Sequence, residues 1–203
     1  MSKSEKEKML SGALYYAVDE ELGIMNQKAR ALLDEFNATK FNDFDKRRTI
    51  LTKLFGKVGT NANVNKPFYC DYGCHIFVGD NFYANFDCTI LDVNKVIIGD
   101  NVFLAPKVSI YTAGHPIDAS VRRTQFEFGN SIRIGNDVWI GGNVVINPGI
   151  TIGNNVVIGS GSVVTKDIPD DVVAAGNPCR IIRKITNEDK KDWEEQKRIY
   201  ENS

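Results

Sequence analysis

The sequence predicts a mainly β protein, a parallel β-helix of hexapeptide repeats with a helical cap before it and one helix after it. First, aliphatic residues recur every six positions throughout residues 132–168. Second, shorter runs with the same spacing occur between residues 58 and 110. Third, residues 1–57 lack this spacing and carry apolar side chains three and four positions apart, as amphipathic helices do.

The repeat is most regular in the second half of the chain, and it fits neither a helix nor a simple strand. Each hexapeptide of a parallel β-helix supplies one short strand and a corner, and small residues suit the corner. Three hexapeptides, about 18 residues, complete a triangular coil whose inward side chains stack about 4.8 Å apart. The aliphatic positions are Ile134, Ile140, Ile146, Ile152, Ile158 and Val164, and four of them are followed by Gly135, Gly141, Gly153 and Gly159.

Shorter runs extend the coil upstream, so we place the β-helix at residues 58–184. An antiparallel meander would have no reason to keep one six-residue register over such distances. The upstream runs are Ile98, Leu104 and Ile110; Val78, Ala84 and Ile90; and Val58 with Val64.

The register breaks once, and residues 111–131 fill the gap without any six-fold spacing. A regular coil does not need such an excursion, and long loops inside compact domains are usually functional. This loop contains His115, one of two histidines in the chain, and the acid Glu127. We therefore expect the active part of the molecule here.

The two ends of the chain are predicted to be helical. Residues 1–57 form a helical cap on the first coils, and residues 185–203 form a helix that covers the open end, because terminal repeats need capping. Thr186 and Asp189 have the spacing of an N-cap pair. The helical apolar spacing of the cap is carried by Met25, Ala29, Leu32, Leu33 and Phe36, and by Ile50, Leu51, Leu54 and Phe55.

Composition limits the partners and the compartment. With 25 basic and 26 acidic residues the net charge is −1, which gives no general reason to expect nucleic acid or a membrane surface. No signal-peptide core and no apolar run of about 18 residues is present, so we expect a cytoplasmic protein. We expect all four cysteines to be reduced thiols with structural roles. Their spacing does not form the two pairs that a zinc site would need; they are Cys70, Cys74, Cys88 and Cys179.

Several segments together resemble the maltose and galactoside O-acetyltransferases of the hexapeptide-repeat superfamily. The resemblance covers nearly the whole chain. Its parts are the cap segments MLSGALYYAVDEEL and RRTILTKLFGKVG, the coil segment PFYCDYGCHIFVGDNFYANFDCTILD, the loop motif TAGHPID, and the late segments GNDVWIGGNVVINPGITIG and GSVVTKDIPDDVVAAGNPCRIIR.

This resemblance implies a left-handed coil and a homotrimer with active sites between neighbouring subunits. It implies that an acetyl group passes from acetyl-CoA, as co-substrate, to a sugar hydroxyl, with no permanently bound cofactor or metal. His115 is the expected general base, because a neutral imidazole can take the proton of the attacking hydroxyl. Glu127 is expected to orient His115, and Asn85 to bind the reacting hydroxyl or the acetyl carbonyl.

The same resemblance assigns residues to the two substrates. Carboxylates suit a sugar because they accept hydrogen bonds from its hydroxyls, and basic residues suit the phosphates of coenzyme A. The expected acceptor-binding residues are Asp19, Asp71, Tyr83 and Asp92. The expected acetyl-CoA-binding residues are Asn85, Trp139, Gly142, Ser160, Thr165, Lys166, Arg180 and Arg183. His75 is expected to be structural and to face outward.

Three alternatives remain open at this point. The acceptor could be a serine, a xenobiotic or a nucleotide sugar, although the cap segments favour the sugar enzymes. A γ-class carbonic anhydrase shares the coil, but its zinc needs three histidines and this chain has two. The third alternative is a non-catalytic β-helix that serves only in ligand binding or in assembly. Binding of coenzyme A would argue against this alternative.

Overall fold

The computed structural model describes residues 3–203, which contain five helices and twenty short strands. The helices are α1 (Glu5–Leu10), α2 (Glu20–Asn37), α3 (Phe44–Leu54), α4 (Ala119–Arg122) and α5 (Asn187–Glu201). The strands are β1 (Tyr15–Tyr16), β2 (Lys57–Val58), β3 (Asn63–Val64), β4 (Phe68–Cys70), β5 (Ile76–Val78), β6 (Tyr83–Ala84), β7 (Cys88–Leu91), β8 (Val96–Ile98), β9 (Phe103–Leu104), β10 (Ser109–Tyr111), β11 (Ala113–Gly114), β12 (Phe126–Gly129), β13 (Ile132–Ile134), β14 (Trp139–Ile140), β15 (Val145–Ile146), β16 (Thr151–Ile152), β17 (Val156–Ile158), β18 (Val163–Val164), β19 (Val172–Ala175) and β20 (Arg180–Lys184).

Three sheets form the faces of a triangular coil. The first face has the order β2-β5-β8-β13-β16, the second β3-β6-β9-β14-β17-β19-β20, and the third β4-β7-β10-β15-β18. Neighbouring strands on a face are parallel and come from successive coils, except for the antiparallel pair β19 and β20. Ile98, Ile134 and Ile152 are register partners and are buried, so the predicted parallel β-helix is confirmed.

The coils do not have the uniform length that the hexapeptide repeat predicts, because those in the first half of the β-helix are longer. The backbone N–H of Asn136 donates to Asn154 Oδ1 across 18 positions of the sequence, whereas that of Asp80 donates to Asp100 Oδ1 across 20 positions. The two extra residues of each early coil lie between the third face and the first. Residues 111–131 leave the coil at the same edge, so the irregularity marks one side of the molecule.

The edge between the first and second faces explains two of the four glycine positions of the repeat, Gly135 and Gly153. The backbone N–H of Asp80 donates to Asp100 Oδ1 at 2.7 Å, and Asn81 Nδ2 donates to Asn101 Oδ1 at 2.9 Å. Similar bonds recur in successive coils, and we call this the ladder edge. A Cβ added to Gly79 would overlap the Asp100 carboxylate, so glycine is required before the acids and amides of the ladder.

The helical cap contributes side chains to two hydrophobic cores. Phe36 of α2 and Leu51 of α3 are buried in the main core of the β-helix and close its first coil. A second, smaller cluster joins Met9, Tyr15 and Leu22 of the cap to Val93 of the β-helix. The cap therefore touches both the base of the coil and the edge from which residues 111–131 leave.

The C-terminal helix forms as predicted, but it does not bury an apolar face over the coil. Thr186 and Asp189 make the expected capping box, yet Trp193 is 69% exposed and Tyr200 is 81% exposed. Most positions of α5 are charged, so the helix has no wide apolar stripe to bury. Instead, the hairpin of β19 and β20 ends the second face. No helix within residues 3–203 combines the length and apolar character that spanning a membrane requires.

Candidate functional site

Three successive corners between the third and first faces form what we call the site edge. They are residues 71–75, residues 92–95 and the excursion that starts at Thr112. The backbone N–H of Asn94 donates to Thr112 Oγ1 at 2.9 Å, which ties the second corner to the start of the excursion. The extra residues of the early coils and the catalytic-loop candidate therefore meet in one place.

His115 and Glu127 lie together at the tip of this edge. The excursion folds back on itself as β11 and β12, and β1 of the cap adds a third antiparallel strand. His115 Nε2 lies 4.0 Å from Glu127 Oε1, and the two side chains are 57% and 25% exposed. This distance is too long for a hydrogen bond. The structure thus brings the predicted base and acid together without a direct bond.

A cavity of about 270 Å³ lies beside Glu127. Asp71 and Tyr72 line it from the coil, and Tyr15 and Asn26 line it from the cap. Burial raises the pKa of the Asp71 carboxyl to about 6, helped by the negative charges of Asp92 and Glu127. The cavity is therefore acidic, polar and walled by two phenol rings.

Asp92 does not fit the predicted contact with a sugar. It is fully buried, and its Oδ1 accepts the backbone N–H groups of Asp71 at 3.0 Å and Tyr72 at 2.9 Å. Its side chain shapes the corner that carries Asp71 instead of facing a substrate. His75 is also buried, with Nδ1 2.7 Å from the Asp92 carbonyl oxygen, so the outward orientation expected for it is wrong.

Asp19 has a structural role in the helical cap. It is the N-cap residue of α2, and its Oδ1 accepts the backbone N–H of Leu22 at 3.1 Å. The acids that line the cavity are Asp71 and Glu127, and Asp19 is not among its lining residues.

Asn85 lies on a different edge of the prism, between the second and third faces. We call it the Asn85 edge, and Gly142 and Ser160 occupy the same edge in later coils. Asn85 Oδ1 accepts the backbone N–H of Phe86 at 2.8 Å. No acceptor within residues 3–203 takes the backbone N–H of Gly142 or of Ser160. These corners therefore present free donors along the length of the coil.

Tyr83 and Trp139 lie on the outer side of the second face, next to the Asn85 edge. Tyr83 pairs in register with Phe103, and Phe103 pairs with Trp139. Trp139 is 54% exposed and Phe103 is 48% exposed. They form an aromatic column along the second face.

The remaining predicted residues lie near the late end of the coil. Thr165 and Lys166 are exposed and follow β18, in a later corner between the third and first faces. Arg180 and Arg183 are exposed on β20. Arg183 donates two bonds to Asp189, at 2.8 and 2.7 Å, so its guanidinium is already paired.

Sequence reasoning missed two residues that contact the excursion, Tyr15 of the cap and Asn94 of the site edge. Tyr15 donates its hydroxyl to Glu127 Oε2 at 2.8 Å, and Asn94 Nδ2 donates to the carbonyl of Gly129 at 2.7 Å. The first contact joins residues 112 positions apart. No spacing in the sequence predicts such a contact. A tyrosine and an asparagine that lie outside any recognisable motif also give no reason to expect a functional role.

Comparison with known proteins matches both parts of the fold. The maltose acetyltransferase hexapeptide capping motif matches residues 8–59. Six repeats of the bacterial transferase hexapeptide match residues 131–166.

Full-length relatives extend this match over nearly the whole chain. A maltose O-acetyltransferase from Clostridium difficile 630 has a TM-score of 0.90 and 57% identity, covering 92% of this chain and 100% of its own. A galactoside acetyltransferase in complex with coenzyme A has a TM-score of 0.90 and 46% identity, covering 93% of this chain and 94% of its own. The galactoside O-acetyltransferase of Escherichia coli (strain K12) is 44% identical over 190 residues, 94% of each chain. The chain therefore belongs to the maltose and galactoside O-acetyltransferase family of hexapeptide-repeat acetyltransferases.

Proposed function

We propose that this protein transfers the acetyl group of acetyl-CoA to a hydroxyl of a sugar, with His115 as the general base. The observation that carries the proposal is that Glu127 lines an acidic cavity and that its Oε1 lies 4.0 Å from His115 Nε2. The names of the relatives, maltose and galactoside O-acetyltransferases, and the coenzyme A bound to one of them support the reaction class.

The proposed reaction is a direct transfer. His115 Nε2 takes the proton of the sugar hydroxyl while that oxygen attacks the thioester carbonyl. The tetrahedral intermediate collapses, the carbon–sulfur bond breaks, and the imidazolium returns its proton to the leaving thiolate of coenzyme A. Glu127 stabilises the imidazolium while it exists. The thiols Cys70 and Cys88 are buried and burial raises the pKa of each, which supports a mechanism without a cysteine nucleophile.

The acidic cavity is the proposed acceptor site. Its Asp71 carboxylate can accept hydrogen bonds from two neighbouring sugar hydroxyls, and the half-buried ring of Tyr72 can pack on the apolar face of a pyranose. A cavity of about 270 Å³ suits one sugar ring. A longer acceptor would extend from its mouth.

The Asn85 edge is the proposed path of acetyl-CoA. The free N–H of Gly142 can stabilise the oxyanion of the tetrahedral intermediate, and the N–H of Ser160 continues the donor line. Trp139 offers an apolar wall for the pantetheine arm. For the phosphates we propose Lys166, Arg180 and Arg183, and Arg183 must then share its guanidinium with Asp189.

The site is proposed to form between two copies of the chain. His115 lies on the site edge and Asn85 on the Asn85 edge, and the third face separates these two edges within one chain. One chain alone therefore does not bring its own base to its own Asn85. A cyclic trimer that sets the site edge of one subunit against the Asn85 edge of the next would assemble three equal sites.

The test is to mix purified protein with acetyl-CoA and a panel of sugars, and to follow release of the free thiol. Glucose, maltose and a galactoside belong in the panel, with serine and chloramphenicol as non-sugar acceptors. His115→Ala should lose at least a thousandfold in kcat, within the range that general base catalysis supplies, while its circular dichroism stays unchanged. A His115→Ala enzyme with a near wild-type rate would refute the assignment of the base, and thiol release with serine or chloramphenicol but no sugar would refute the acceptor.

A further inference from the structure

The strand pairing between β1 and β12 places a cap residue directly against the acid of the site. Tyr15 is the register partner of Glu127, and its hydroxyl donates to Glu127 Oε2 at 2.8 Å. The other oxygen, Oε1, faces His115 Nε2 at 4.0 Å. The two oxygens of one carboxylate therefore have different neighbours, a phenol on one side and an imidazole on the other.

Tyr15 is held firmly enough to direct this carboxylate. It is 1% exposed and packs with Met9, Leu22 and Val93 in the smaller core cluster. Burial and the hydrogen bond to Glu127 raise the pKa of Tyr15 far above its ordinary value. The phenol therefore keeps its proton and remains a donor at any pH at which the enzyme would work.

Asn94 fixes the strands that carry both partners. Its Nδ2 lies 3.2 Å from the carbonyl oxygen of Met9 and 2.7 Å from that of Gly129. The first of these residues belongs to α1, just before the turn into β1, and the second ends β12. One buried side chain thus ties the cap to the strand of Glu127, and Tyr15 has little freedom to move away from it.

We propose that Tyr15 is a positioning residue for acetyl transfer: its hydroxyl holds Glu127 so that the second carboxylate oxygen faces the imidazolium of His115. The inference rests on the proposed function and adds a role for the helical cap in catalysis. A free glutamate side chain samples several rotamers, and anchoring one oxygen removes most of them before the reaction starts.

The test compares Tyr15→Phe with Tyr16→Phe in the acetyl-transfer assay. The first variant removes the hydroxyl on Glu127 and keeps the ring in its core, whereas Tyr16 is 40% exposed and is a matched control on the same strand. Tyr15→Phe should lower kcat about tenfold, part of the 10²–10⁴ that general base catalysis supplies, with an unchanged KM for acetyl-CoA. Tyr16→Phe should stay within about twofold of wild type.

A double-mutant cycle distinguishes positioning from a general structural effect. In a Glu127→Gln background, Tyr15→Phe should change kcat by less than about twofold, because the charge that it positions is gone. An equal loss in both backgrounds would overturn the inference, and so would wild-type kcat in Tyr15→Phe. Glu127→Gln alone must lower kcat by at least as much as Tyr15→Phe, so full activity of that variant refutes the inference even if Tyr15→Phe does not fold. If wild type transfers acetyl to no sugar, the proposed function itself has failed, which is a separate result.

Discussion

The buried carboxylate of Asp92 accepts the backbone N–H of Asp71 and so holds the corner from which Asp71 faces the cavity. The first acid is a structural part of the corner, and the second is available to a ligand. Both are buried enough that their pKa values are raised to about 6. The site edge therefore holds negative charge that is unfavourable for folding, a common cost of a binding site.

This charge makes stability depend on pH. Because the folded-state pKa of Asp71 is about 6 against an ordinary value of 3.8, the folded protein binds more protons than the unfolded chain between these values. The contribution of Asp71 to stability therefore falls as pH rises from about 4 to about 6, and stays low above that. Asp71→Asn should be more stable than wild type by about 1 kcal/mol at pH 8, with a smaller difference at pH 4. Urea unfolding at both pH values measures this.

The same variant should weaken binding at the proposed sugar site. An amide offers one acceptor oxygen and no charge, so the KM for the sugar should rise about tenfold while the KM for acetyl-CoA is unchanged. Asp34→Asn, at an exposed position of α2, is the control for both measurements and should change neither. A less stable Asp71→Asn at pH 8 would show that favourable contacts of the carboxylate outweigh the cost of burying its charge.

The sequence predicted the regular part of the fold well, because stacking of identical aliphatic positions leaves a direct trace in it. Ile134 and Ile152 illustrate this: six-residue spacing fixes both their inward direction and their pairing. The longer early coils were not predicted, although the register partners Val78 and Ile98 lie farther apart in the sequence than three hexapeptides allow. The extra residues lie in a corner, where no periodic burial constrains the chain.

The sequence points to a candidate site only where the repeat is interrupted. His115 and Glu127 were found because their segment breaks the register, and they do lie together. The burial of Asp92 and the contact of Tyr15 with Glu127 depend on tertiary packing across the cap, which leaves no local pattern. The orientation of α5 was missed for a related reason: its capping signal predicts where a helix begins but not what that helix packs against.

The ladder edge predicts a stabilising substitution. Asn101 Nδ2 donates to Asp137 Oδ1 at 2.9 Å, but a carboxylate cannot donate onward to Asn155 in the next coil. Asp137 also has a φ of 57°, a conformation that asparagine adopts readily. Asp137→Asn would supply the missing donor and should raise the free energy of unfolding by about 0.5–1 kcal/mol. The reverse change, Asn101→Asp, should destabilise, because it removes a donor and brings two carboxylates together; a stabilised Asn101→Asp would contradict the ladder.

Two glycines should respond to alanine in opposite ways. A Cβ at Gly79 would overlap the Asp100 carboxylate and the backbone of Gly99, so Gly79→Ala should destabilise by about 1–3 kcal/mol. A Cβ at Gly23, inside α2, meets no atom within 4 Å, so Gly23→Ala should stabilise by about 0.5–1 kcal/mol through helix propensity. Thermal and urea unfolding of the two variants provide the comparison. If the two substitutions change the free energy of unfolding equally, then the contact between the added Cβ and Asp100 is relieved at little cost, which contradicts the prediction.

Sharing of the site between subunits can be tested by complementation. In the proposed trimer every site needs both side chains, so His115→Ala and Asn85→Ala should each be inactive when they assemble alone. In mixed trimers assembled from equal amounts, a site is intact when the Asn85→Ala chain supplies His115 and the His115→Ala chain supplies Asn85. Random assembly gives each of these two chains its position with a chance of about one half, so about one site in four is intact. Co-expressed variants should therefore regain roughly a quarter of wild-type kcat per site. Mixing the separately purified variants immediately before the assay is the control and should give no activity, because each assembly then holds only one kind of chain. If the co-expressed mixture is no more active than its parts, then His115 and Asn85 act within one chain or Asn85 does not contribute, and the arrangement inferred from their separate edges is wrong.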